Sequence, residues 1–141
     1  MILFLDTSVI LAACGSGKGA SREVFRLAAI NNWKLLASPY IIEEVVRNLP
    51  QLRSSAVPVW RTLRGGLELT NDVLTLEWPA VFPVPKDRPV LFTALAWADV
   101  LLTRDRHDFS RVIGSEFYGL GVLTPGDFLA RQRAAGELRQ S

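Results

Sequence analysis

The fold of this chain is limited first by a run without a single polar residue, Ile2-Leu3-Phe4-Leu5, halted at once by Asp6-Thr7-Ser8. A strand with one wet face alternates apolar and polar side chains. A run that is apolar throughout needs cover on both faces, as the central strands of parallel sheets have. Residues 34–37, 100–102 and 121–123 read as further short strands, the second of them ending at Thr103. Helix signals lie between. After glycine-rich residues 15–19, Ser21 is placed to cap a helix carrying Val24, Leu27 and Ala28 and ending at Asn31-Asn32. Ser38-Pro39 joins an N-cap hydroxyl to a proline at the first helical position, where the missing N–H costs nothing; Ile41, Ile42, Val45 and Leu49 follow as a buried stripe. Asp87-Arg88-Pro89 opens a helix with Val90, Leu91, Ala94, Leu95 and Ala98 facing inward, and Thr124-Pro125-Gly126-Asp127 opens a last one over residues 128–135. Residues 51–84 are less legible, helical in part despite Pro58 and then an irregular strand over residues 67–77. Alternating strands and helices predict an α/β chain: a three-layer α/β/α sandwich with a central parallel sheet, one domain over residues 1–141.

Composition narrows the function classes. A hydrophobic share of 49% and a charged share of 21% are ordinary for a globular chain and exclude disordered and low-complexity readings. No apolar stretch approaches the ~18 residues that a membrane span needs. The apolar N-terminus lacks a basic leader and is interrupted by Asp6, so the expected location is the cytoplasm. Cys14 is the single cysteine, which excludes an internal disulfide and a thiolate zinc site. A net charge of +2 gives mild support for an anionic partner. The mean hydropathy of +0.20 and four Trp suggest apolar area reserved for a subunit or partner interface.

In parallel α/β folds, ligands bind beyond the carboxyl ends of the strands. Asp6 directly follows the first strand, and Asp105 follows the strand ending at Thr103 with one residue between. Asp87 begins the helix before that strand. Glu44 stands at the border of its helix's buried stripe, three residues after Ile41. If the four converge, each pair of carboxylates at ~4 Å costs about 4 kcal/mol at an effective dielectric of ~20, and a compensating cation is required. A hard divalent ion such as Mg²⁺ or Mn²⁺ prefers such an all-oxygen set and can activate water for phosphodiester hydrolysis. Each acid also has an ordinary role open to it: Asp6 and Asp87 as helix caps, Glu44 as a solvated helix residue, Asp105 as a turn former. The residues alone lead to a metal or phosphoryl site and do not separate a nuclease from a phosphatase.

The segments LFLDTSVILAA, SPYIIEEVVRNL, KDRPVLFTALAWADVLLTRDRHDF and GVLTPGDFL, in this order, resemble the PIN-domain family over most of the chain outside residues 51–84. The resemblance implies a metal-dependent endoribonuclease, and the family includes the VapC-type toxins of bacterial toxin–antitoxin pairs. Carried over residue by residue, its acidic quartet falls on Asp6, Glu44, Asp87 and Asp105, with Glu44 preferred to Glu43, which lies on a different helix face. Asp99 matches an acid often seen in the ADVLLTRD block and is treated as auxiliary. Thr7, Ser8 and Thr103 occupy hydroxyl positions that fix a carboxylate or a metal-bound water. Arg104 and Arg106, flanking Asp105, are candidates for RNA phosphates, as are Arg22 and Arg26, for which a solvated helix face is the plainer reading. His107 reads as exposed. Family, size and apolar excess together imply a homodimer that binds an antitoxin protein.

Two other functions compete with the nuclease. One is a catalytically weak PIN-like module that binds RNA or protein. The other is phosphoryl transfer of the receiver or haloacid-dehalogenase kind; the latter's nucleophile motif needs a second Asp two residues after the first, where this chain has Ser8.

Overall fold

In a computed structural model of the chain, which describes residues 1–74 and 88–140, the all-apolar run forms β1 (Ile2–Leu5). Leu3, Phe4 and Leu5 are wholly buried, as a run apolar on both faces demands. β1 is followed without a loop by α1 (Thr7–Gly15) and then by α2 (Ala20–Leu27), β2 (Lys34–Ala37) and α3 (Pro39–Asn48). A 3₁₀ turn (Leu49–Gln51) leads to α4 (Ala56–Arg64) and β3 (Leu67–Leu69). After the residues outside the description come α5 (Arg88–Trp97), β4 (Val100–Leu102), β5 (Ser115–Phe117), β6 (Leu120–Leu123) and α6 (Pro125–Ala134).

The caps explain several boundaries. Ser38 Oγ accepts the Ile41 N–H at the start of α3, and Thr124 Oγ1 accepts the Asp127 N–H at the start of α6, each with proline next in the chain. Pro58 lies in the first turn of α4, where its lacking N–H would have no helical partner in any case. One expectation needs correction: Ser21 does not cap α2, because Gly19 holds that position and Ser21 sits inside the first turn, buried. The central sheet is parallel, as expected, with one added edge strand: β5 pairs antiparallel with β6 through Tyr118 and Gly119, both at positive φ (49° and 84°). Two successive positive-φ residues make the tight turn whose twist matches a hairpin.

The described strands form one sheet in the order β3-β2-β1-β4-β6-β5, parallel except at β5. From β1 the chain winds outward through β2 to β3, then returns to β4 on the other side of β1 and winds outward to β6. Parallel crossovers are right-handed, so the helices of the two winding directions cover opposite faces and produce the α/β/α layering. The core runs through both layers, with Phe4, Ile10, Leu27, Ile41, Leu91, Leu101 and Phe128 fully buried, each contributing about 2–3 kcal/mol of burial free energy. Trp33 meets the Phe128 ring edge-on at 5.0 Å, which fastens the last helix to the segment before β2. Because the winding reverses between β1 and β4, their carboxyl ends bound the crevice where such folds place ligands.

Candidate active site

Asp6 leaves the end of β1 and is nearly buried, at 6% exposure. It stands at the N-cap position of α1, yet its side chain makes no capping bond to that helix. Its Oδ2 instead accepts two hydroxyl protons, from Ser8 Oγ at 2.7 Å and from Thr103 Oγ1 at 2.9 Å. Parallel register sets this up: Leu5 lies opposite Leu102, the Asp6 N–H donates to the Leu102 carbonyl, and Thr103 therefore stands beside Asp6. The same hydroxyls receive bonds in turn. Thr103 Oγ1 accepts the Asp105 N–H at 3.1 Å, and Ser8 Oγ accepts the Arg104 N–H at 3.0 Å. The loop after β4 is thus moored to Asp6 through two side chains.

Burial pushes the Asp6 carboxyl above its ordinary value, the Ser8 and Thr103 hydroxyls pull it back, and the charge of Asp105 adds to the rise. A carboxylate placed among donors and a second negative charge is suited to a cation. Asp105 is half-buried, and its Oδ1 accepts the Asp108 N–H at 2.8 Å, so it also shapes its turn. Glu44, half-buried on α3, accepts the Thr7 hydroxyl at 2.9 Å. Its neighbour Glu43 is exposed and pairs with Arg47 at 3.5 Å. Asp6, Thr7, Ser8, Glu44, Thr103 and Asp105 are therefore brought to one end of the sheet. Asp87 lies outside the described residues. Among the described residues, no three acidic, histidine or cysteine side chains stand close enough to hold an ion by themselves.

Asp99 is a correction to the sequence reading. It precedes β4, and its Oδ2 accepts the Ile2 N–H at 2.7 Å, which puts it at the amino end of the sheet. Four strand residues, or ~13 Å, separate that end from Asp6. Its role is to satisfy the first amide of β1. Asp99→Ala should lower stability by about 0.5–1.5 kcal/mol in urea unfolding and leave any activity of the Asp6 site within about twofold; a large loss of activity at full folding would return Asp99 to the site.

Arg22 and Arg26 are engaged elsewhere: Arg22 Nε donates to the Ala13 carbonyl at 2.6 Å, and Arg26 pairs with Glu23. His107 is 97% exposed in its side chain. Cys14 is buried, with its thiol pushed up by that burial. Asp72 escapes the sequence reading altogether. It lies three residues beyond β3, as Asp105 lies three beyond β4, and its Oδ2 accepts the Tyr40 N–H at 3.2 Å in the first turn of α3. The rule that found Asp105 would have found it, had the irregular strand expected over residues 67–77 been seen to end at Leu69.

Beside the acids opens a cleft of about 700 Å³, bounded by Ser8, Leu11, Ser21, Leu52, Arg104 and Arg106. Ser8 belongs to both the cleft and the carboxylate cluster.

A family model described as PIN domain matches residues 3–107. Among solved structures, the chain is similar to one from the crystal structure of DNA-bound VapBC from Salmonella typhimurium. The TM-score is 0.61 and the identity 14%, over 89% of this chain and 98% of that one. No curated protein matches it significantly. The family match takes in the end of β1, the whole of α3 and the loop after β4, the three places that carry Asp6, Glu44 and Asp105, and the chain belongs to the PIN-domain family.

Proposed function

We propose that this protein is a metal-dependent endoribonuclease whose site is built on Asp6, Glu44, Asp87 and Asp105. The observation that carries this reading is the setting of Asp6: a nearly buried carboxylate at the topological switch point, held by Ser8 and Thr103 and facing the charge of Asp105. The donor chemistry fits Mg²⁺ or Mn²⁺. Every group offered is a hard oxygen, and Mg²⁺ in particular keeps several waters and needs only one or two protein carboxylates, so a shell of few protein ligands suffices. Asp6 and Asp105 would hold the ion, with Glu44 and Asp87 placed by the family likeness to complete the set. When bound, it would supply an activated water and charge stabilisation at phosphorus.

The chain's own residues do the positioning. Thr103 and Ser8 fix the rotamer of Asp6 by donating to one oxygen and leave the other outside those bonds. Thr7 turns Glu44 toward the same end of the sheet. Arg104 and Arg106 lie exposed at the mouth, where phosphates of an RNA strand would be neutralised.

Likeness to a chain of a VapBC assembly supports the narrower reading of a VapC-type toxin that pairs with an antitoxin protein; a homodimer in the cytoplasm is the form in which we propose that it acts. Among the described residues no helix is long and apolar enough to cross a membrane. The test is incubation of the purified protein with single-stranded and structured RNA and Mg²⁺ or Mn²⁺. Cleavage should stop on chelation and fall by about a hundredfold or more in Asp105→Asn; cleavage indifferent to both would defeat the proposal. Tight RNA binding unaffected by chelation, without cleavage, would favour the non-catalytic binding module instead.

A further inference from the structure

The chain leaving β3 is tied to two helices by three successive residues. The ladder between β2 and β3 runs one step beyond β3, with the Thr70 N–H donating to the Ala37 carbonyl at 2.9 Å, so the segment emerges beside Ser38 and the start of α3. The Asn71 carbonyl then accepts the Trp97 indole N–H at 3.1 Å, Asp72 Oδ2 accepts the Tyr40 N–H at 3.2 Å, and the Val73 N–H donates to the wholly buried Thr93 hydroxyl at 2.8 Å. The outer two bonds reach α5 and the middle one reaches α3. Glu44 stands on α3, and Asp87 directly precedes α5 in sequence.

Asp72 is the link between these helices. Ser38 Oγ covers the Ile41 N–H, Pro39 has no N–H, and the Ile42 N–H reaches the Ser38 carbonyl, so Tyr40 carries the one amide of the first turn that needs an acceptor from elsewhere in the fold. A carboxylate supplies it and also suits the positive end of the helix. Tyr40 and Glu44 are one turn apart on one face of α3. The carboxylate of Glu44 is held by Thr7, and the turn below it is held by Asp72. Among the described residues, Asp72 Oδ1 is buried without a hydrogen-bond partner. A stranded carboxylate oxygen lowers stability, so stability alone does not account for this residue; local costs of this kind belong to functional sites.

We propose that Asp72 is a positioning residue for the acidic site: by fixing the first turn of α3 against the segment that α5 holds, it aims Glu44 without touching metal or substrate itself. The inference rests on the nuclease reading for what Glu44 does, and on the bonds of residues 71–73 for how Asp72 acts on it. Removing the carboxylate frees the Tyr40 amide and lets the first turn of α3 settle elsewhere. A displacement of about 1 Å, carried along the helix to Glu44, is enough to slow a reaction severely. An asparagine at this position keeps an oxygen for the Tyr40 amide and removes the stranded charge.

The test compares wild type, Asp72→Ala, Asp72→Asn, Glu44→Gln and the double variant of Asp72→Ala with Glu44→Gln, each checked for folding by circular dichroism. With Mg²⁺ or Mn²⁺, Asp72→Ala should lower kcat for RNA cleavage about tenfold or more while KM stays within about twofold, and Asp72→Asn should restore kcat to within about threefold of wild type. In the Glu44→Gln background, Asp72→Ala should cost less than about a further twofold, because its effect runs through Glu44. Loss by the same factor in both backgrounds overturns the proposal. A second readout needs neither metal nor cleavage: the carboxyl carbon resonance of Glu44 should move in Asp72→Ala and stay in place in Asp72→Asn. An unmoved resonance in Asp72→Ala overturns the proposal whatever the rates, and this readout decides where Glu44→Gln leaves no measurable cleavage. If Asp72→Ala does not fold, Asp72→Leu, which fills the space without an acceptor, replaces it. A wild type that cleaves no RNA, with the Glu44 resonance moved in Asp72→Ala, would discard the nuclease and keep Asp72 as the residue that sets Glu44; cleavage with an unmoved resonance would do the reverse.

Discussion

Without metal, Asp6→Asn is expected to melt at a higher temperature than the wild type, while in the presence of Mg²⁺ or Mn²⁺ it cleaves RNA about a thousandfold more slowly or not at all. Both effects come from one cause. Burial and the charge of Asp105 raise the Asp6 carboxyl above its ordinary value of 3.8, so its ionised form is disfavoured in the folded chain. Linkage then has a definite sign. Between 3.8 and the raised value the folded state binds more protons than the unfolded state, so the contribution of Asp6 to stability is fully present at lower pH and is lost as pH rises through that window. An asparagine carries no such liability, and its carbonyl oxygen can still accept from Ser8 and Thr103. The expected gain is on the order of 1 kcal/mol, or about 4 °C, at neutral pH and vanishes toward pH 3. Thermal melts of the two proteins across pH, in chelator, give the comparison. An Asp6→Asn protein that is less stable than wild type at pH 7 would mean that an unrecognised cation already compensates the carboxylate.

The parts of this fold that were legible in sequence are those where one physical demand acted alone. β1 and β4 are apolar throughout because they are covered on both faces, and α3 and α6 announce themselves by a capping hydroxyl followed by proline. α1 gives no such signal. Thr7, Val9, Ile10, Ala13 and Cys14 are buried around much of its circumference, so helical periodicity is smeared into a plain apolar stretch. β5 is hidden for the opposite reason: Ser115 and Glu116 are exposed at a sheet edge, and the turn that creates the strand uses Tyr118 at positive φ, which composition does not foretell. At the site, Asp6 and Asp105 were readable because each follows a recognisable strand. Glu44 was separable from Glu43 because one borders the buried stripe and the other points away from it. Asp99 misled because adjacency to a strand says nothing about which end of the sheet a residue occupies; only its pairing with the Ile2 amide settles that.

Addition of a divalent ion should reverse the order of stability. If Mg²⁺ or Mn²⁺ binds only the folded chain, a concentration about a hundredfold above Kd stabilises the wild type by about 2.7 kcal/mol, or roughly 10 °C in Tm for a domain of this size. The gain exceeds the expected advantage of Asp6→Asn, so with saturating ion the wild type should become the more stable of the two. Asp105→Asn should show a reduced shift, since it removes the second charge acting on Asp6. Asp99→Ala should keep the full shift from a lower starting point, because its carboxylate serves the other end of the sheet. Matching ionic strength with monovalent salt separates binding from screening, which acts on the exposed pairs Arg47–Glu43 and Lys34–Glu68 whatever the ion. An equal Tm rise in wild type and Asp6→Asn would place the bound ion away from the switch point and remove the basis for assigning these carboxylates to metal.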